Sequence, residues 1–239
     1  MIDLYAMGSP NVVKIYIALE ELGLPYAVHA VDVFGNEQFN PDFLKLNPNA
    51  KVPVIVDADG PDGKPYTVFE SGAILLYLAE KTGRLLARDG TARYDTLQWM
   101  MVQMTGLGPM SGQLVHFVRF APKQTDQSYA LSRYKTQVAT LYKTIEARLA
   151  DSAYLGGAEY SIADVATFPW ARLFDLLLGE AAKAAHPQLM RWIADIAQRP
   201  AVVKALAEVE AVRAKTLTPD KVTEDQLDRV FGRGRFAIA

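Results

Sequence analysis

At 239 residues, half of them apolar and 22% charged, the chain is long enough to bury a sizeable core, as one large domain or two small ones. A formal net charge of −2 with no dense Lys/Arg block argues against a dedicated nucleic-acid surface, and no apolar run reaches the ~18 residues of a membrane span. There is no cysteine, so disulfides, thiolate metal sites and cysteine nucleophiles are excluded, and any thiol chemistry must use a thiol brought by the ligand.

The start, Met1-Ile2-Asp3-Leu4-Tyr5, lacks the basic and apolar regions of a signal peptide, so a cytoplasmic location is expected. Residues 2–5 read as a short strand. Ser9-Pro10-Asn11 opens a helix to about Leu22, with Ser as N-cap and Pro at the first helical position. Gly23-Leu24-Pro25 stops it. Residues 26–33 read as a second strand, 34–39 as a loop and 40–46 as a short, irregular helix. Strands at 54–57 and 67–69 are joined by the turn Asp59-Gly60-Pro61-Asp62-Gly63-Lys64, and an apolar helix follows at 71–81.

After Gly83 the strand signal ends, and Arg88-Asp89-Gly90 closes a short linker. Residues 91–120 form one long helical stretch, expected to bend at Gly106-Leu107-Gly108-Pro109. Helices follow at 127–150, 162–178, 187–198 and 201–215. Ser161-Ile162-Ala163-Asp164 is a capping-box variant, with Tyr160 and Val165 at staple positions. From Thr216 the mixed charges and Phe231-Gly232-Arg233-Gly234-Arg235-Phe236 read as a flexible or docking extension. The expected divisions are 1–83, 91–215 and 216–239.

The chemistry concentrates between Asn47 and Ser71. Proline holds Val52 extended, and a cis Val52–Pro53 bond would leave the Val52 N–H and C=O outward as a short strand edge. Glu70-Ser71 at a helix start offers a carboxylate, a hydroxyl and free N–H groups, which suit a zwitterionic amino-acid head group. The two junctions together fit a peptide-like ligand. His29, His116 and His186 show no metal-ligand spacing, and G-x-S-x-G, H-E-x-x-H and G-x-G-x-x-G are absent. No metal site is expected.

An α/β thioredoxin-like first domain (βαβ-α-ββα) followed by an all-α second domain resembles the cytosolic glutathione transferases, over residues 1 to about 212. N-P-N-A-K-V-P looks like that family's cis-proline loop, F-E-S-G-A-I-L-L-Y-L like its γ-glutamyl-binding turn, and the Ser161–Asp164 box like the one that starts its helical domain. S-P-N at 9–11, G-N-E-Q-F at 35–39 and L-Q-W-M-M-V-Q-M-T-G-L-G-P-M-S-G-Q-L-V-H-F at 97–117 resemble the bacterial nu-class branch, which is associated with reducing small disulfides by glutathione. The chain departs from that branch in carrying Ser9 for its usual Thr, and Leu114-Val115 for a more polar run.

The resemblance implies a glutathione-dependent disulfide oxidoreductase with glutathione as cosubstrate and no covalently bound cofactor. Conjugation of electrophiles is the close alternative, and a non-enzymatic binding or regulatory module the other class. Ser9 and Asn11 would meet the sulfur, with credit between them open and N-capping alone the bland reading for Ser9. Tyr5, the rival, reads better as a packed aromatic. Val52, after Lys51 and before Pro53, would pair with the cysteinyl unit. Glu70 would take the γ-glutamyl ammonium and Ser71 its carboxylate, against ordinary helix capping. Lys51 and Gln38 would meet the glycyl carboxylate, against solvated surface. Arg133 would contact a second or oxidised glutathione, against a surface arginine. Trp99, Met100, Met101, Met104 and Met110 read as core and subunit interface, and His116 as packed. Expected partners are glutathione, a small disulfide or electrophile and a second copy in a homodimer, with neither nucleic acid nor membrane.

Overall fold

The computed structural model describes residues 1–122 and 124–238, so Lys123 and the last residue of the expected extension, Ala239, lie outside the described residues. Two compact units are present. One comprises Met1–Leu78 together with the chain from Ala201 on, and the other is Ala79–Pro200.

In the first unit, β1 (Ile2–Ala6) follows the alternation of I-D-L-Y-A, burying Ile2, Leu4 and Ala6. Helix α1 (Pro10–Leu22) is buried without a break from Val12 to Leu19, in a run that is apolar except for Lys14 and the Tyr16 hydroxyl, and ends on the left-handed Gly23 (φ 68°). Strand β2 (Tyr26–Ala30) is three residues shorter than expected. Val31 N–H still bonds to Ala6 O at 2.8 Å, but Val33 N–H turns to Val31 O and ends the ladder. Helix α2 (Pro41–Leu46), β3 (Val54–Asp57), β4 (Tyr66–Phe69) and α3 (Ser71–Thr82) follow. The sheet order is β2-β1-β3-β4, with β1 and β2 parallel and the other neighbours antiparallel.

In the second unit, α4 (Gly90–Met101) runs into a π-helical segment, Val102–Leu107, and then α5 (Gly108–Arg119). The irregularity expected near Gly106 is thus a widened turn in which the backbone stays helical at Gly108 (φ −59°). Helix α6 spans Ser128–Asp151. The single helix expected over 162–178 is two, α7 (Ile162–Ala171) and α8 (Phe174–Leu178). Pro169 lies in the last turn of α7, and Leu173 leaves helical geometry (φ −90°, ψ 12°). Helix α9 (Pro187–Ala197) completes the unit, and α10 (Pro200–Arg213) leads back to the first.

The Ser161–Asp164 capping box is formed. Asp164 Oδ2 accepts from Ser161 N–H at 3.0 Å, while its Oδ1 accepts from Leu155 N–H and Trp192 Nε1–H, both at 2.9 Å. The tail carries regular structure and contacts the rest of its unit. Thr223 and Gln226 form a second capping box that opens α11 (Glu224–Phe231), and Leu217 N–H reaches Asp32 Oδ1 at 3.2 Å. Among the described residues no helix is long and apolar enough to cross a membrane.

Candidate functional site

Strand register gathers the junctions. Tyr5 pairs with Val54, Val54 with Phe69, and Ala6 with Ala30. The segments after β1 (Met7–Asn11), after β2 (Val31–Phe39), before β3 (Lys51–Pro53) and after β4 (Glu70–Ser71) therefore all leave the sheet at one end. Ser9, Asn11, Gln38, Lys51, Val52, Pro53, Glu70 and Ser71 come from these four segments.

The Val52–Pro53 bond is cis. Pro53 is buried, and the Val52 side chain packs on the Val31, Phe43 and Val54 cluster. Among the described residues the Val52 N–H and C=O have no backbone partner, which leaves one donor and one acceptor for an extended peptide. Asn47 shapes this loop, donating from Nδ2 to Lys51 O (2.7 Å) and accepting from Asn49 N–H (2.9 Å). Asn49 Nδ2 then donates to Glu70 Oε1 at 3.3 Å, tying one junction to the other. Lys51 is exposed.

Glu70 is the N-cap of α3, since its C=O accepts from Ile74 N–H at 2.9 Å, and it does so from the left-handed region at φ 69°. A non-glycine residue held there costs on the order of 1–3 kcal/mol and marks a turn whose shape matters. Its carboxylate stays exposed, whereas Ser71 is buried. Gln38 departs from the solvated alternative. It sits in a 3-10 turn, Glu37–Phe39, is 2% exposed, and leaves Oε1 without a hydrogen-bond partner. That turn is held by Asp32, which accepts from Gly35 N–H through Oδ1 (2.9 Å) and donates its own N–H to Glu37 Oε2 (2.6 Å).

Ser9 is the N-cap of α1 by backbone geometry, and its C=O accepts from Val12 and Val13 N–H, but its hydroxyl makes no capping bond. The N-cap reading therefore accounts for the backbone of Ser9 and not for its side chain. The helix start favours an anion beside it. Tyr5 is a packed aromatic, stacked on His29 at 4.9 Å and edge-on to Phe43 at 6.2 Å. In the second unit Arg133 lies exposed on α6, and His116 packs against Phe117 and Phe120.

Sequence reasoning missed Lys14. One turn after Asn11, it is 1% exposed and donates from Nζ to Ser71 Oγ at 3.3 Å. Burial lowers its ammonium from the ordinary 10.5 to about 7, with the negative field of Glu70 acting in the opposite sense. A lysine inside V-V-K-I-Y-I-A-L is the signal that would have found it. The structural links made by Asn47 and Asn49 were missed as well.

Family models for the "Glutathione S-transferase, N-terminal domain" and the "Glutathione S-transferase, C-terminal domain" match residues 8–81 and 105–200. The disulfide-bond oxidoreductase YfcG of Escherichia coli is 45% identical over 213 residues, covering 88% of this chain and 96% of that protein. A glutathione transferase from Burkholderia graminis, solved with two glutathione molecules per subunit, is 46% identical with a TM-score of 0.81, covering 86% of this chain and 87% of that one. A glutathione transferase from Pseudomonas putida, solved with one glutathione disulfide per subunit, is 41% identical with a TM-score of 0.80, covering 86% and 90%.

Proposed function

Because the chain belongs to the glutathione transferase family, we propose that it is an enzyme that reduces small disulfides with glutathione, holding the tripeptide at the sheet end where the four segments meet. The observation that carries the binding half is the register Tyr5–Val54–Phe69, which sets the open Val52 backbone beside Glu70 and Ser71. The redox half rests on composition. With no cysteine in the chain, the attacking sulfur belongs to the ligand. The disulfide-bond oxidoreductase YfcG and the glutathione disulfide bound by the Pseudomonas putida protein support the same assignment.

In this reading Glu70 accepts from the γ-glutamyl ammonium, and Ser71 donates to the α-carboxylate. Val52 exchanges backbone hydrogen bonds with the cysteinyl unit, beside Pro53. Lys51 and Gln38 meet the glycyl end. The Ser9 hydroxyl, the Asn11 amide and the start of α1 stabilise the thiolate, whose ordinary pKa is ~8.5. The thiolate attacks one sulfur of the substrate. The substrate S–S bond breaks as a mixed disulfide forms, and the departing thiolate takes a proton from solvent. A second glutathione thiolate attacks the mixed disulfide and releases the other substrate thiol. Two glutathiones are thus oxidised to one disulfide, and one disulfide is reduced to two thiols. Arg133 is assigned to the second or oxidised glutathione.

The domain plan belongs to the same proposal: a glutathione-binding domain at 1–83, a helical substrate and dimer domain at 91–215, and an extension at 216–239. It is completed by a cytoplasmic homodimer. The test is reduction of 2-hydroxyethyl disulfide by glutathione, beside conjugation to a chloronitrobenzene. Disulfide turnover is expected, and Asn11→Ala, which removes one hydrogen bond to an anion, should lower kcat/KM by roughly 10–100-fold, equivalent to about 1.5–3 kcal/mol. Intact glutathione binding without disulfide reduction would overturn the oxidoreductase reading, and unchanged turnover in the variant would remove Asn11 from the chemistry.

A further inference from the structure

A buried lysine needs a reason, because an ammonium withdrawn from water is costly unless its partners repay the loss. Lys14 lies among Val12, Val13, Ile15 and Ile17, all buried, where leucine or methionine would pack at no electrostatic cost. Its Nζ points at Ser71 Oγ, the hydroxyl assigned to the α-carboxylate. The chemistry of that contact depends on one proton. An ammonium only donates, so a hydroxyl that accepts from it keeps its own hydrogen to give elsewhere. A neutral amine has a lone pair and draws the hydroxyl hydrogen inward.

We infer that Lys14 is a positioning residue of the glutathione site: its ammonium turns the Ser71 hydroxyl outward to the ligand's α-carboxylate, so that carboxylate binding and Lys14 protonation reinforce each other. The inference rests on the reading of Glu70–Ser71 as the γ-glutamyl clamp.

The electrostatic surroundings fit this role. Glu70 is a charged group whose field reaches Lys14, and the ligand's own ammonium is assigned to that same carboxylate. A bound α-carboxylate next to Ser71 supplies the counter-charge on the other side. On α1 the other titratable groups are Tyr16, Glu20 and Glu21. Glu20 accepts from Tyr26 and pairs with Lys204 of α10 at 2.8 Å. Helix α10 also brings Glu208, whose field falls on Tyr16 and Tyr26, and Glu210, which pairs with Arg213 at 3.0 Å. From β3, Asp57 accepts from the Tyr77 hydroxyl at 2.7 Å. With its resting ammonium at about 7, Lys14 is mostly neutral at pH 8 and mostly charged at pH 5.5.

The test is calorimetric titration of the intact protein with S-methylglutathione, whose sulfur carries no proton, in two buffers of different ionisation enthalpy. At pH 8 the expected result is uptake of most of one proton per site, falling towards none at pH 5.5. The Kd should rise between pH 7 and 8.5 by up to about tenfold per unit. Lys14→Met should abolish the uptake and flatten the pH profile, and Ser71→Ala, which keeps the lysine, should weaken binding and reduce the uptake. Should the methionine variant not fold, the two-buffer measurement on the natural chain decides alone. Binding without proton uptake at pH 8 would overturn the inference and leave the clamp standing. No binding of S-methylglutathione would overturn both.

Discussion

Asp164→Ala should weaken the helical unit more than the other substitutions considered for this chain. The carboxylate is fully buried and takes four hydrogen bonds: Leu155 N–H and Trp192 Nε1–H on Oδ1, Ser161 N–H and Ser161 Oγ–H on Oδ2. Alanine leaves three N–H donors inside the protein without that acceptor. Each orphaned buried donor costs about 1–3 kcal/mol. The three share one carboxylate, so their costs do not simply add, and a loss of roughly 3–5 kcal/mol is expected. Asp164→Asn keeps the shape and one acceptor oxygen, and should lose about half as much. Ser161→Ala removes the cap on Ala163 N–H and should cost about 1 kcal/mol. Urea unfolding followed by tryptophan fluorescence measures all three. The reasoning fails if the alanine variant lies within about 1 kcal/mol of the natural chain, or if asparagine costs as much as alanine.

Lys14 sets a pH dependence of stability in the absence of ligand. Its pKa is about 7 folded, against an ordinary 10.5, so the unfolded chain binds more protons between those values and stability rises with pH. The slope from pH 7 to 9 should reach at most about 1.4 kcal/mol per unit and should be flattened in Lys14→Met; denaturation curves showing equal slopes would refute it. Tyr5→Phe keeps the stacking on His29 and Phe43, so disulfide reduction should be unchanged, and a large fall in kcat would return the tyrosine to the chemistry. A Cβ at Gly35 would lie 2.6 Å from Asp32 Oδ2, so Gly35→Ala should displace the turn that carries Gln38. Glutathione binding, read by calorimetry, should weaken several-fold, and an unchanged Kd would remove that turn from the site.

The candidate site draws mostly on residues whose local chemistry is legible in the sequence. Alternation in I-D-L-Y-A, proline before V-I-V-D and an acidic residue before a serine at a helix start each act within a few residues. What stayed hidden depends on packing. Nothing near Lys14 in the sequence points to Ser71, 57 positions away. Gln38 is a candidate from the sequence, but its burial depends on the turn that Asp32 holds and is not legible there. The break between α7 and α8 falls at Arg172-Leu173, which carries neither glycine nor proline, although Pro169 is close by. Helix α11 is a different case. Its Thr223–Gln226 capping box is visible in the sequence, but the surrounding charges obscured the short helix behind it.

The first unit closes with pieces from the far end of the chain. Lys204 reaches back to Glu20, the Arg213 side chain lies where a Cβ on Gly8 would fall, Leu217 N–H binds Asp32, and Arg229 sits 4.7 Å over the Phe39 ring. During synthesis the strands within Met1–Leu78 leave the ribosome well before their covering segment, which follows only after all of Ala79–Pro200 has been made. The helical unit therefore has its whole sequence available earlier, and the segments around Gln38 and Ser9 gain these neighbours only after it. A cut or insertion in α10 or α11 would strike the same contacts, so it would be felt at the turn that carries Gln38 and not only where the chain is altered.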